Sequence, residues 1–268
     1  MKKIMLSCTA LMAGLIIHAQ TKEGRIVYER TTQMQIRIAD DNPALQNMIP
    51  KERKDRFELL FGNNQSLWKP VEEDAADQGE WSGNGMQIRI MAPGSEDITY
   101  HNFAATRKVE LRELAAKKYI LEDSIRSMNW KLSGESKKIL NYDCFKATAQ
   151  RIAKRTMVNM DNGKMERKEV EDTMNITAWF TNAIPVSAGP DQYQGQLPGM
   201  ILEVDVNNGR TTIKAIEISG KIDVAVIKEP KGGKKVTQAE FNKEREKMME
   251  EMQRNNGGGR VIRVGGGS

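Results

Sequence analysis

Ala178-Trp179-Phe180-Thr181, followed by Ile184-Pro185-Val186, Gly189-Pro190 and Leu197-Pro198-Gly199-Met200-Ile201-Leu202, decides how this chain folds. Three prolines and three glycines (Gly189, Gly195, Gly199) lie between two runs that alternate apolar and polar residues. Proline presets φ and glycine accepts positive φ, so the stretch is built as a chain reversal. Before it, Ile176, Ala178 and Phe180 share one face; after it, Leu202, Val204 and Val206 do. Alternation at two residues means strands with one face on a core. Leu197-Pro198-Gly199-Met200 suits a type II turn, with Pro second and Gly third.

The same period recurs outward from this corner. Met34, Ile36 and Ile38 alternate with Gln35 and Arg37, Met86, Ile88 and Ile90 with Gln87 and Arg89, and Ile222, Val224 and Val226 close the series. Asp161-Asn162-Gly163-Lys164 and Asn207-Asn208-Gly209-Arg210 are Asn-Gly hairpin turns, which pair 152–160 with 164–172 and 200–206 with 211–218. Gly62-Asn63-Asn64-Gln65 joins Phe57–Phe61 to Ser66–Trp68 in the same way. Residues 105–126 read as strand, with a short turn at Ser124–Met128; Asn42–Lys54 reads as a short helix and Pro70–Gly85 as a loop. The fold class that follows is all-β and mainly antiparallel: a curved meander sheet or open half-barrel with a C-terminal amphipathic helix. That helix follows from Thr237-Gln238-Ala239-Glu240, a capping box, and runs to about Arg254 with Phe241, Met248, Met249 and Met252 as its apolar stripe.

Both ends of the chain differ from its body. Met1-Lys2-Lys3, the apolar run Ile4–Ile17 and Ala19-Gln20 read as a secretory signal peptide over 1–19, too short for a membrane span. The mature chain then divides into a β-rich domain at 20–230, the helical segment 231–254 and a Gly-rich disordered tail at 255–268. Cleavage removes two lysines, so the formal charge falls from +5 to +3, an ordinary surface balance with no nucleic-acid stripe. Cys144 and His101 are then the sole cysteine and histidine. One thiol makes no internal disulfide, and Cys144 in a strand-like run reads as a small buried hydrophobe. A membrane-spanning barrel is not expected, because aromatic content is only 6%, too little for two girdles.

Several of these segments carry a family resemblance. Gly24-Arg25-Ile26-Val27-Tyr28, Trp130, the run Ile139–Thr148 around Cys144, Ala178-Trp179-Phe180, Ile184-Pro185-Val186, Gly189-Pro190 and Gln196-Leu197-Pro198-Gly199-Met200-Ile201 together resemble the GLPGLI family, exported proteins of Bacteroidetes-type bacteria. Gln196 stands for the first glycine of that name and Met200 for its second leucine, and Asp191 follows Gly-Pro in place of an aromatic residue. The resemblance implies an exported, β-rich envelope protein and imports no activity.

Function is read mainly by elimination. The chain has no phosphate loop, no His-Glu-x-x-His run and no nucleophile elbow, so no catalytic residue and no metal or cofactor site is assigned. The expected role is a non-catalytic binding or accessory module of the periplasm or cell envelope, beside outer-membrane machinery, for an envelope protein partner or an apolar ligand. Its binding lip would comprise Trp179, Gly189, Pro190, Tyr193, Leu197, Pro198, Gly199, Met200 and Ile201. Sixteen methionines, among them Met157, Met160 and Met165 on one hairpin, leave a copper-binding alternative, since thioethers suit Cu(I). A hydrolase built on paired carboxylates is the third reading.

Overall fold

Asparagine-rich turns draw this chain into hairpins, and the hairpins line up into one sheet. The computed structural model describes residues 22–34, 51–71, 80–83, 86–89, 97–114, 116–161, 164–220 and 222–255, those at 80–83, 86–89, 153–161, 164–170, 249 and 252–255 by backbone alone. The strands are β1 (Gly24–Gln33), β2 (Glu52–Gly62), β3 (Gln65–Pro70), β4 (Glu80–Gly83), β5 (Met86–Arg89), β6 (Ile98–Asn102), β7 (Arg107–Leu114), β8 (Lys117–Ser124), β9 (Lys131–Ile139), β10 (Tyr142–Asp161), β11 (Lys164–Thr181), β12 (Met200–Val206), β13 (Thr211–Ser219) and β14 (Lys234–Val236). Twelve of them form an open sheet in the order β14-β8-β7-β6-β3-β2-β1-β13-β12-β11-β10-β9, and β4 pairs with β5 alone. Every pairing is antiparallel except β14 on β8.

The expected hairpins are present. Ile152 pairs with Thr173 and Asp161 with Lys164, while Glu203 pairs with Lys214 and Val206 with Thr211. Asn63 and Asn64 both take positive φ (51° and 58°), the primed-turn geometry that matches strand twist. Arg107–Leu114 and Lys117–Ser124 are strands, as expected, but they form a hairpin with Ala116 at φ 62°, where the sequence has neither glycine nor asparagine.

Register places one apolar set on the inner face. Phe57, Tyr28 and Ala215 face one another across β2, β1 and β13, and Ile213, Val204, Ala178 and Ala147 continue the row through β10. All seven are buried, and each large side chain among them contributes roughly 1.5–3 kcal/mol of burial. Bulges at Val27/Tyr28, Phe145/Ala147 and Trp179/Phe180 interrupt the ladders and bend the strands around this face. The segment between β11 and β12 covers it: Ile184, Ala188, Tyr193, Leu197 and Met200 pack into the same core, and the Tyr28 hydroxyl donates to the Ile201 carbonyl at 2.7 Å.

The C-terminal helix α1 (Gln238–Asn255) starts on its capping box. The Glu240 N–H donates to Thr237 Oγ1 at 3.2 Å, and the Thr237 N–H donates to Glu240 Oε2 at 2.7 Å. Phe241 anchors the helix edge-on against Tyr119 of β8, with the Arg112 guanidinium 5.5 Å from its ring. Among the helix's described side chains Phe241 alone is buried, so the helix leans on the sheet at its first turn.

Four expectations are corrected. Glu80–Gly83, assigned to the 70–85 loop, is strand β4, paired with β5 from Glu80 opposite Arg89 to Gly83 opposite Met86. Val224–Val226 is a 3-10 turn capped by Asp223, whose Oδ1 accepts from the Ala225 N–H at 2.9 Å; β13 has ended at Ser219, and the turn packs its Val224 side chain against Gly62 of β2 without joining the ladder. Leu197–Met200 is not a type II turn. The Gly199 N–H donates to the Leu197 carbonyl at 2.9 Å, a tighter reversal about Pro198, and the Met200 N–H is taken by the Ile184 carbonyl at 3.1 Å. Residues 52–54, assigned to a helix, open β2, because Arg53 and Asp55 alternate in strand register against β1. The signal peptide at 1–19, most of the 42–54 helix, residues 35–38, Ile90, the loop at 72–79 and the tail at 256–268 lie outside the described residues. No helix among the described residues is long and apolar enough to cross a membrane.

Candidate functional site

The inner face changes character on the β6–β8 side. Ser66, His101, Lys108 and Asp123 are direct cross-strand partners on β3, β6, β7 and β8, so four polar residues form one row across the sheet. Beyond it lie Glu110 and then Arg112, which contacts Asp97 at 3.5 Å and Glu110 at 2.9 Å. Facing this row is the 182–199 segment, where Gln192, Gln194 and Gln196 recur at spacing two. Between them is a cleft of about 300 Å³, bordered on its open side by residues 124–128 and by Arg151 of β10.

The glutamines are fixed by their own hydrogen bonds. Gln194 is fully buried and its Oε1 accepts from Ser66 Oγ at 2.5 Å. Gln196 Oε1 accepts from Trp130 Nε1 at 3.0 Å and from the Met128 N–H at 3.2 Å, so it ties the covering segment to the 125–130 strap. Gln192 Oε1 accepts from Arg151 Nη1 at 2.6 Å. The segment is also knitted to itself: the Gly195 N–H donates to the Ser187 carbonyl and the Ser187 hydroxyl to the Leu197 carbonyl. Hydrogen-bonded amides held in one geometry make a pre-organised polar wall.

Burial sets the titration of the ionisable groups here. His101, 1% exposed, has its imidazole pushed down to about 3, first by burial and then by Lys108, and its Nδ1 has no hydrogen-bond partner. Burial pushes the Asp97 carboxyl up to about 6; Arg112 opposes this, while Glu110 and Asp191 add to it. The Asp191 carboxyl is likewise raised by burial, and its backbone sits at φ 51°. The two shifts act oppositely on folding. As pH falls below 6.5 the unfolded chain protonates a histidine that the folded chain keeps neutral, so His101 removes stability down to about pH 3. Asp97 favours the folded chain fully below its ordinary 3.8, and that contribution is lost as pH rises through about 6. The imidazole resonances of His101 are therefore expected to stay constant between pH 8 and pH 5 by NMR; a midpoint near 6.5 would contradict this burial.

The lip residues assigned from sequence divide in two. Tyr193, Leu197, Met200 and Ile201 are buried together in the core, and Pro190 is buried beside them. Gly189 is needed for packing, since a Cβ there would lie 2.7 Å from Ile201 Cβ. Gly199 is buried against the Thr181 carbonyl, and Pro198 is exposed. Trp179 is only half-buried at the margin of this core, with Lys137 Nζ 4.4 Å from its ring centroid. The apolar motif residues are thus turned inward, and the polar residues between them border the cleft. His101, Arg151 and the three glutamines went unassigned; the Gln-x-Gln-x-Gln spacing at 192–196 is a signal for the glutamines alone, and nothing local marks His101 or Arg151. Cys144 is buried and free, its thiol pushed up to about 11 by burial. Met157, Met160, Met165, Met249 and Met252 have no described side chains, and among the described residues no three His, Cys, Asp or Glu groups converge as metal ligands.

Residues 130–203, from the strap to β12, match the sequence model of a family described as a protein of unknown function (Porph_ging). The matched span thus contains Arg151, Gln192, Gln194 and Gln196, whereas His101, Lys108 and Asp123 lie before it. No curated protein matches the chain. Among solved structures, PNGF-II in space group P21 is 14% identical, with a TM-score of 0.50, over 83% of this chain and 33% of that one. PNGF-II in space group C2 is 16% identical with a TM-score of 0.47, over 81% and 32%. This chain therefore spans about a third of the length of the structures it resembles, and the first likeness is one of fold alone.

Proposed function

We propose that this chain is an exported cell-envelope protein of the GLPGLI type that works as a non-catalytic binding or accessory module, with the cleft under the 182–199 segment as its binding site. The observation that carries this reading is the cleft's lining: amides locked by hydrogen bonds beside an imidazole that stays neutral. A histidine held near 3 exchanges no proton at neutral pH, and a thiol near 11 supplies no thiolate there. Neither rare reactive residue suits chemistry, whereas rigid polar walls suit recognition. Export is supported by the basic, apolar and small-residue pattern of Met1–Gln20.

Ser127 is exposed at the cleft mouth, so Ser127→Trp fills the entrance without entering the core. Tagged wild-type protein recovered from native envelopes should carry a partner or small molecule that the Ser127→Trp protein lacks. Equal recovery from both would refute the cleft as the binding site. A hydrolase, the alternative, would draw on the Asp97 carboxyl, whose raised value keeps a proton available near pH 6. Turnover of an envelope substrate that disappears in Asp97→Asn would replace the binding reading.

A further inference from the structure

Charge bookkeeping within the cleft singles out one side chain. Three cations border it. Lys108 Nζ is matched by Glu110 at 3.1 Å, and Arg126 Nη2 by Asp123 at 3.2 Å. Arg151 has no carboxylate within ion-pair reach among the described residues. Its Nη1 donates to the neutral Gln192 amide at 2.6 Å and its Nη2 meets the Met174 thioether at 3.5 Å, a weak acceptor. Its Nε is buried with no partner. The register fixes this environment, because Met174 is the direct cross-strand partner of Arg151.

A half-buried guanidinium left with an amide oxygen and a sulfur is an unusual arrangement. Removing a cation from water is costly unless an anion answers it, and the planar fork fits the two oxygens of a carboxylate or the edge of a phosphate. His101 reinforces the polarity of the site: it is 1% exposed, borders the same cleft and has an unpartnered Nδ1. The volume, about 300 Å³, sits at the small end of ligand pockets and suits a single compact molecule.

We propose that the cleft receives a small ligand bearing an oxyanion, a carboxylate or a phosphate, with Arg151 as its charge partner and the Gln192 amide beside it. The inference rests on the cleft being a binding site and adds the class of molecule it takes. Nη1 already holds Gln192 in place, so the amide and the guanidinium meet the ligand as one preset pair. Arg126, 80% exposed at the mouth, is free to swing from Asp123 toward an incoming anion.

The test titrates the full chain separately with inorganic phosphate and with acetate at constant ionic strength in chloride. The Arg151 Nε–H, Gln192 amide and His101 resonances are followed by NMR. The expected result is a saturable shift of these signals with at least one probe; whichever saturates at lower concentration identifies a phosphorylated or a carboxylated source. Arg151→Gln should weaken binding at least tenfold and Arg151→Lys should recover part of it. Gln192→Glu, an exposed substitution that puts a carboxylate beside the guanidinium, should weaken binding to a similar degree without disturbing the core. No saturable shift with either probe, or Gln192→Glu titrating as wild type, overturns the proposal. If Ser127→Trp blocks envelope recovery while Gln192→Glu leaves it intact, the oxyanion assignment falls and the binding role stands. If the anion binds as expected but Ser127→Trp changes nothing in envelope recovery, the anion site stands and the partner role of the cleft falls.

Discussion

Replacing Gly199 with alanine is expected to lower the melting temperature by about 10 °C, a loss of about 3 kcal/mol. The residue sits at φ 151°, and a Cβ built on it would lie 2.3 Å from the Thr181 carbonyl oxygen and 2.9 Å from its carbon. Both atoms are backbone at the end of β11, so no side chain is available to give way. Relief requires the chain to move as a whole, which pulls Met200 away from the Ile184 carbonyl and Ile201 away from the Ala188 carbonyl. Those two residues are among the most deeply buried in the core. Gly209→Ala is the matched control. It also has positive φ (90°) but nothing lies within 4 Å of the added carbon, so it bears only the backbone strain, about 1–2 kcal/mol. Thermal and urea unfolding of the two variants should separate them clearly; equal losses would mean that close packing at Gly199 is unimportant.

Asp55→Ala is expected to be as damaging, about 3–5 kcal/mol, because it removes the acid from a buried charge cluster. Asp55 is 2% exposed; its carboxylate lies 3.2 Å from Arg30 Nη2 and 2.7 Å from Arg53 Nη2. Arg30 is also stacked 4.4 Å from the Phe57 ring centroid, so its guanidinium stays in place when the acid is lost. The cost then comes from the cations deprived of this partner rather than from the missing attraction alone. Changing the acid together with one of its two cations discriminates between these terms: Asp55→Leu with Arg30→Met leaves only Arg53 deprived of Asp55 and should lose less than Asp55→Ala. Denaturant midpoints of the single and double variants measure the difference, and a double variant worse than the single would overturn this account.

Much of the sheet was legible because its signals are local. Alternation marked β5, β11 and β12, asparagine turns set the β2–β3, β10–β11 and β12–β13 registers, and Thr237 with Glu240 announced α1. Signals failed where a partner decides the outcome. Val224–Val226 alternates like a strand but closes on itself, with Asp223 capping it and the Ile227 N–H bonding the Val224 carbonyl, and the Leu197–Met200 turn is tightened because the Ile184 carbonyl takes the Met200 N–H. The hairpin reversing at Ala116 has no turn residue to announce it. The site was less readable still. Ser66, His101, Lys108 and Asp123 come from four strands and meet only through register. Arg151 looks like any surface arginine until the Gln192 amide and the Met174 thioether are seen as the groups its guanidinium meets.

The place of β1 in the middle of the sheet has a kinetic consequence. Arg25 pairs in register with Ser219, so β1 waits for a strand that lies far along the sequence from it. Two runs of sequence-adjacent strands, β1, β2, β3, β6, β7 and β8 on one side and β9 to β13 on the other, can zip up from shorter-range contacts, but the β1–β13 seam joining them closes only once both runs are present. A chain that has not yet supplied β13 would therefore hold two separate half-sheets, and the shared core forms only when that strand arrives.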